Sequence, residues 1–186
     1  MKSPKYLEEY LGLDCHVDLD TLKMFPNAKE ITESMGTFNA VWNYVCPNLF
    51  GPRDGNVALV SVGDGCTPRT AALFACRTAW HCWSIDPRLR TRDTPIKRLT
   101  CIIGKIEDSA LDLTAFGHVV AVLVHSHATI KDTLYGIKAK RLHIVAMPCC
   151  VPLNIADKPF LGYHDTHIWS PHNLLKIWID ARKVQP

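Results

Sequence analysis

Val57-Ala58-Leu59-Val60-Ser61-Val62 is an apolar, β-branched run that breaks at Gly63-Asp64-Gly65, and a second run, Trp83-Ser84-Ile85, ends on Asp86-Pro87. Glycines at a strand end let the backbone pass close to a ligand that a Cβ would block. An acid at the tip of the next strand can accept hydrogen bonds from both hydroxyls of a ribose. The two segments together have the residue types of a nucleoside pocket. Farther on, Val124-His125-Ser126-His127 places two imidazoles after another apolar run. Such histidines can take a proton near neutral pH or orient a nucleophile. The competing role is to satisfy local backbone groups. Cys149-Cys150 follows Met147-Pro148, and no C-x-x-C pair occurs, which disfavours zinc. These thiols either line a pocket or pack as small hydrophobes.

Arg88, Arg90, Arg92, Lys97 and Arg98 fall in one short stretch, and Lys138, Lys140 and Arg141 in another. Phosphate contact is one reading of the first cluster and a solvated loop is the other, since no aromatics interleave for base stacking. The formal charge of +3 is too mild to imply nucleic acid by itself. At 186 residues the chain can bury a full core as one domain, without metal or disulfide staples. Cys76, Cys82 and Cys101 sit in or beside apolar runs, the opening Met1–Glu9 segment has no apolar signal core, and no stretch approaches the roughly 20 apolar residues of a membrane span. The expectation is a reduced, cytoplasmic or otherwise intracellular protein with no membrane partner.

Residues 1–55 read as a helical preface. Asn27 followed by Glu30 fits a capping box, and Ile31, Met35, Phe38, Trp42 and Val45 recur at helical spacing until Pro47, Gly51 and Pro52 end the helix. Strands are expected at Val57–Val62, His81–Ile85, Leu99–Ile103, His118–Val124 and Leu142–Met147. Most are continuous apolar runs, as in strands covered on both faces. Helices are expected at Pro68–Thr78 (Thr67 as N-cap), Glu107–Phe116 and Thr129–Lys138, whereas Asp86 to Leu99 is a loop or single turn. In the tail, His167–Trp169 and Leu174–Asp180 read as a hairpin around Ser170–Asn173, with a helix over Asn173–Lys183 as the competitor. The expected fold is a single α/β domain: a mostly parallel, seven-stranded Rossmann-like sheet in residues 56–186, closed by an antiparallel hairpin.

A dinucleotide site wants G-x-G-x-x-G, and Pro68 stands where the third glycine would be, which tilts the reading away from NAD. On these residues the chain resembles the class I S-adenosylmethionine-dependent methyltransferases from about Asn56 onward. The resemblance implies S-adenosylmethionine as cofactor, with Val62, Gly63, Asp64 and Gly65 beside its methionine part and Asp86 and Pro87 at the ribose. It places the adenine on the loop Gly104-Lys105-Ile106-Glu107-Asp108. Many members carry an acid directly after that glycine, where this chain has Lys105, so Ile106, Glu107 and Asp108 are the expected contacts. It also implies that the preface lies as a lid over the cofactor. A narrower likeness, to methyltransferase-like proteins that include a group of tRNA ribose methylases, rests on His125-Ser126-His127-Ala128 and Pro148-Cys149-Cys150.

The leading expectation is a methyltransferase with His125 or His127 as a base. RNA is the expected acceptor, held in part by Arg88, Arg90, Arg92 and Arg98. A protein partner or self-association is compatible with the same residues. A non-catalytic subunit that kept the fold and an NAD-type oxidoreductase are the alternatives.

Overall fold

The computed structural model describes residues 3–47, 49–149 and 158–181. The preface holds α1 (Lys5–Leu11), α2 (His16–Thr21) and α3 (Ala28–Ala40), the last continuing as a π-helical turn over Val41–Val45. The core runs β1 (Val57–Val62), α4 (Arg69–Arg77), β2 (His81–Ile85), β3 (Leu99–Ile102), β4 (Leu111–Asp112), β5 (His118–Val124), α5 (Ile130–Gly136), β6 (Ile137–Lys138), β7 (Leu142–Met147), β8 (Leu161–His164) and β9 (Leu174–Trp178).

Seven of these strands form one sheet in the order β3-β2-β1-β5-β7-β9-β8. β3, β2, β1, β5 and β7 are parallel, and β9 runs antiparallel to both β7 and β8. The chain winds outward from β1 to β3, returns to the other side of β1 at β5, and slots its last strand between β7 and β8. This is a Rossmann-like α/β sandwich whose mostly parallel seven-stranded sheet is closed by an antiparallel hairpin. Its central strands β1, β5 and β7 are buried nearly throughout and read as apolar runs because both faces are covered. Period-two alternation divides them: Leu59, Val120, Val122 and Val124 pack with α3 and α4, while Val60, Val62, Ala121 and Leu123 pack with α5 and the turn at Ile106.

Local chemistry explains where the elements depart from expectation. Glu107–Phe116 is not a helix: a 3-10 turn covers Ile106–Asp108, and β4 then pairs with β6. Ser109 turns its hydroxyl onto the Ile106 carbonyl at 2.7 Å, and the Asp112 carboxylate accepts from the Thr114 amide and hydroxyl. These short side-chain bonds give the backbone an alternative to the helical ladder. The expected helix over Thr129–Lys138 closes earlier, at Gly136, because Ile137 and Lys138 join β4. Its start is a capping box between Thr129 and Asp132. α4 begins at Arg69 with Pro68 as its cap, since the Thr67 hydroxyl is spent on the Met24 carbonyl.

At the preface helix, the Asn27 side chain accepts from the Glu30 amide, but Glu30 turns away to Arg69 rather than closing the box. The hairpin forms with a different first arm. β8 precedes His167–Trp169, which lies in the connection, held by Trp169 to Ser3 and Thr32. Leu174–Trp178 is strand rather than helix because it bridges β7 and β8.

At the opposite end of the sheet from the glycines, His143 is buried beneath Phe50 and stacked on His118, with His118 Nδ1 3.0 Å from His143 Nε2. The Asp180 amide donates to His143 Nδ1, so Nε2 carries the proton and donates to His118. Burial, then the neighbouring His118, push the His143 imidazole down to about 4. The native state therefore stays neutral where an unfolded chain takes a proton, and stability must fall as pH drops from about 6.5 toward about 4. Urea unfolding across that window should lose roughly 3 kcal/mol from this group. His143→Gln should flatten that part of the slope; an unchanged slope would refute the assignment.

Candidate functional site

The sheet order reverses between β1 and β5, and in open α/β sheets the crevice outside the carboxyl ends of such strands is where ligands bind. A cavity of about 500 Å³ lies there, within the usual range of small-molecule sites. β1 contributes Val62 and Gly63, β2 leads in Asp86, Pro87 and Arg88, and the β3 loop adds Gly104, Lys105, Ile106 and Glu107. His125, Ser126, His127 and Ala128 follow β5, and Asp132 reaches in from α5. None of these described lining residues comes from the preface. α3 instead packs as a layer on the sheet, so the lid expected of residues 1–55 is not formed by it.

The glycine loop is built by internal constraints. Gly63 sits at φ +75°, its amide donates to the Ile85 carbonyl at 2.8 Å, and a Cβ there would run into the Ser126 side chain. Gly65 sits at φ +85°, where a Cβ would meet the Arg69 guanidinium. Positive φ and near contact on the protein side both demand glycine. Asp64 does not face the cavity. Its buried carboxylate accepts from the Thr70 amide (3.0 Å), the Ala71 amide (3.2 Å) and the Ser84 hydroxyl (3.0 Å), which caps α4 and ties β1 to β2. Asp86 does line the cavity, and its carboxylate is half used: Oδ2 accepts from the Gly65 amide at 2.8 Å and Oδ1 from the Arg88 amide at 2.7 Å. A carboxylate has about four acceptor positions, so two remain for hydroxyls of a ligand.

Of the residues expected at the cofactor, Val62, Gly63, Asp86, Pro87, Ile106 and Glu107 are brought together around the cavity, while Asp64, Gly65 and Asp108 are not among its lining residues. Ile106 is buried and offers an apolar wall fit for a purine face. Lys105 is exposed and lies 3.8 Å from Glu107. A nucleoside with a short charged tail fits these groups: hydroxyls on Asp86, a ring against Ile106, and the tail toward Gly63 and Ser126.

The two histidines separate. His127 is exposed at the rim. His125 is strained into the left-handed region at φ +51°, which turns its ring toward α3. There Nε2 lies 2.8 Å from Glu33 Oε1 and 3.3 Å from the Ser170 hydroxyl, and the His172 ring stands edge-on at 6.2 Å. Glu33 is 1% exposed and also receives Lys29 at 2.9 Å. Burial alone would raise its carboxyl, but hydrogen bonds from His125 and Lys29 outweigh that and hold it below its ordinary value. Glu33 was invisible to sequence reasoning, because a single acid in a helical repeat reads as solvated. Cys149 approaches the His125 carbonyl with its thiol, and Cys150 lies outside the described residues.

In the basic stretch, Arg88, Arg90 and Arg92 are exposed, and Arg88 lines the cavity with its guanidinium 3.7 Å from Asp86. Arg98 differs from these three in that its guanidinium donates to the Ala75 and Thr78 carbonyls at the end of α4. No helix among the described residues is long and apolar enough to cross a membrane.

Fold and cavity together define a Rossmann-like α/β domain with a cleft at the switch point of its sheet. No protein-family profile and no curated protein matches the chain. Among solved structures it is similar to a glutamate-to-glutamine mutant of MtNAS, at 11% identity and a TM-score of 0.49 over 93% of this chain and 67% of that one. It is also similar to a cyclopropane-fatty-acyl-phospholipid synthase-like protein from Lactobacillus casei, at 14% identity and a TM-score of 0.42 over 78% of this chain and 58% of that one.

The Asp64 network yields a direct test. Asp64→Ala removes a helix cap and strands buried donors, and should lower unfolding stability by about 2–4 kcal/mol in a denaturant titration. A loss under about 0.5 kcal/mol would show that α4 and Ser84 do not depend on it.

Proposed function

We propose that this chain is an S-adenosylmethionine-dependent methyltransferase acting on RNA. The observation that carries the cofactor is the half-satisfied Asp86 carboxylate, which lines the switch-point cavity together with Gly63 and Ile106. In this reading Asp86 holds the ribose, Ile106 and Glu107 hold the adenine, and Gly63 with Ser126 bounds the methionine end. The cofactor supplies an electrophilic methyl group. The protein's part is then to align an acceptor in line with it and to exclude water. His125 and His127 stand where the acceptor would enter.

RNA as acceptor is supported by the charges at the mouth. Arg88, Arg90 and Arg92 are exposed on one loop and Lys105 stands on the next. Exposed cations beside a cleft favour a polyanion that passes across it, although Arg88 and Lys105 share their charge with Asp86 and Glu107.

Calorimetric titration with S-adenosylhomocysteine should show saturable binding, weakened at least tenfold (about 1.4 kcal/mol) by Asp86→Ala. Binding of NAD with none of S-adenosylhomocysteine would overturn the cofactor in favour of an oxidoreductase. Binding of S-adenosylhomocysteine without transfer to RNA, DNA or protein would leave a non-catalytic subunit. For the acceptor, a combined Arg88→Ala, Arg90→Ala and Arg92→Ala variant should bind total RNA more weakly and lose roughly 2–3 units of the salt slope. An unchanged slope would move RNA binding to another face.

A further inference from the structure

We infer that Glu33 and His125 form a carboxylate–imidazole pair whose Nδ1 takes a proton from the methyl acceptor, so that the acceptor atom is a hydroxyl or a ring N–H. The inference rests on the methyltransferase reading and deepens it. Glu33 is buried and ionised, and an ionised carboxylate can only accept, so Nε2 of His125 carries the hydrogen of the 2.8 Å bond. Nδ1 is then the lone-pair nitrogen. It is buried and has no hydrogen-bond partner among the described residues. A buried acceptor without a donor is costly, and such unmet groups ask for a reason. A donor on a docked substrate would satisfy it.

The geometry excludes the obvious rival. In a hydrolytic triad the serine and the acid meet opposite nitrogens of the histidine. Here Ser170 and Glu33 both meet Nε2, so Ser170 is no nucleophile activated by this imidazole. The arrangement matches instead a base oriented from behind by a carboxylate. Position supports it too, because His125 lines the cavity directly after the strand beside β1, and its left-handed backbone is strain held at a ligand edge.

The step balances without a further reagent. The acceptor oxygen or nitrogen forms a bond to the methyl carbon as the carbon–sulfur bond breaks and its electron pair stays on sulfur. The acceptor's proton passes to Nδ1, and the imidazolium formed is stabilised by Glu33. His125 is the catalytic base in this scheme, and Glu33 is a positioning residue. The other charged or titratable groups facing the pair are Lys29 on α3, His172 ahead of β9 and Cys149 after β7. Ring nitrogens that bear a free lone pair have no proton to lose and gain little from such a base.

The test uses the whole chain with tritiated S-adenosylmethionine and total RNA, followed by digestion to nucleosides, with nitrogen-15 NMR of the histidines alongside. His125 should show a protonated Nε2 and a lone pair on Nδ1. Glu33→Gln should leave S-adenosylhomocysteine affinity within about twofold, cut single-turnover transfer roughly 100-fold and lower the pH at which the rate levels off, because the imidazolium loses its neighbouring anion. Glu33→Asp should restore part of the rate, which loss of a merely structural contact would not explain. The methyl group should be found on a hydroxyl or an imino nitrogen.

A proton on Nδ1 in the wild type, transfer by Glu33→Gln within threefold of wild type, methyl found on a lone-pair ring nitrogen or carbon, or a wild type that binds S-adenosylhomocysteine yet labels no RNA would each overturn the inference. Failure of the wild type to bind S-adenosylhomocysteine would instead remove the methyltransferase reading beneath it.

Discussion

Two buried carboxylates, one after each of the first two strands, fix the edge on which every proposed contact lies. Asp64 gathers the first amides of α4 and the Ser84 hydroxyl of β2, and Asp86 gathers the amides of Gly65 and Arg88. Each anion neutralises orphan N–H groups that would otherwise be buried without partners. The bonds run crosswise: the acid after β1 holds β2, and the acid after β2 holds the loop after β1. With Gly63 also bonded to Ile85, the loop has no freedom to drift from the strand ends. That lock preorganises one wall of the cleft, the part formed by Val62, Gly63 and Ile85 to Arg88.

The same lock shows why glycine pairs in such loops are ambiguous evidence. Gly63 and Gly65 were read from sequence as clearance for a ligand. In the folded chain their positive φ and the nearness of Ser126 and Arg69 already require them. Asp64 likewise stands in the middle of the motif and serves α4. Spacing marks where a loop of this kind lies, and only the direction of each side chain separates ligand groups from scaffold groups.

What was legible in the chain followed from periodicity and burial. β1, β5 and β7 have the expected bounds because a strand covered on both faces leaves a nearly unbroken apolar run, and β2 has them although His81 is exposed. The segment from Glu107 to Phe116 was misread because Ile106, Leu111 and Leu113 suit either period, and the decision was made by Ser109 and Asp112 bonding to nearby backbone and side-chain groups. The hairpin's first arm was misplaced for a different reason. Trp169 looks like a strand aromatic, yet its indole is claimed by Ser3, a partner more than 160 residues away that no local pattern reveals. Arg98 shows the same limit, as one of a cluster of cations whose guanidinium is drawn under the end of α4.

The preface is where the largest functional difference from expectation arises. Read as a lid, it would touch the cofactor and could be removed at the expense of affinity alone. As a layer, α3 buries Met35, Phe38 and Val41 against the sheet and carries Glu33 beneath the end of β5. An ionised carboxylate in that position is tolerated because Lys29 and His125 both bond to it. The apolar packing of α3 and the orientation of the His125 ring are thereby linked: a shift of the helix along the sheet would move the carboxylate away from Nε2. The preface thus contributes to the edge of the site from below, through one buried charge, rather than by covering it from above.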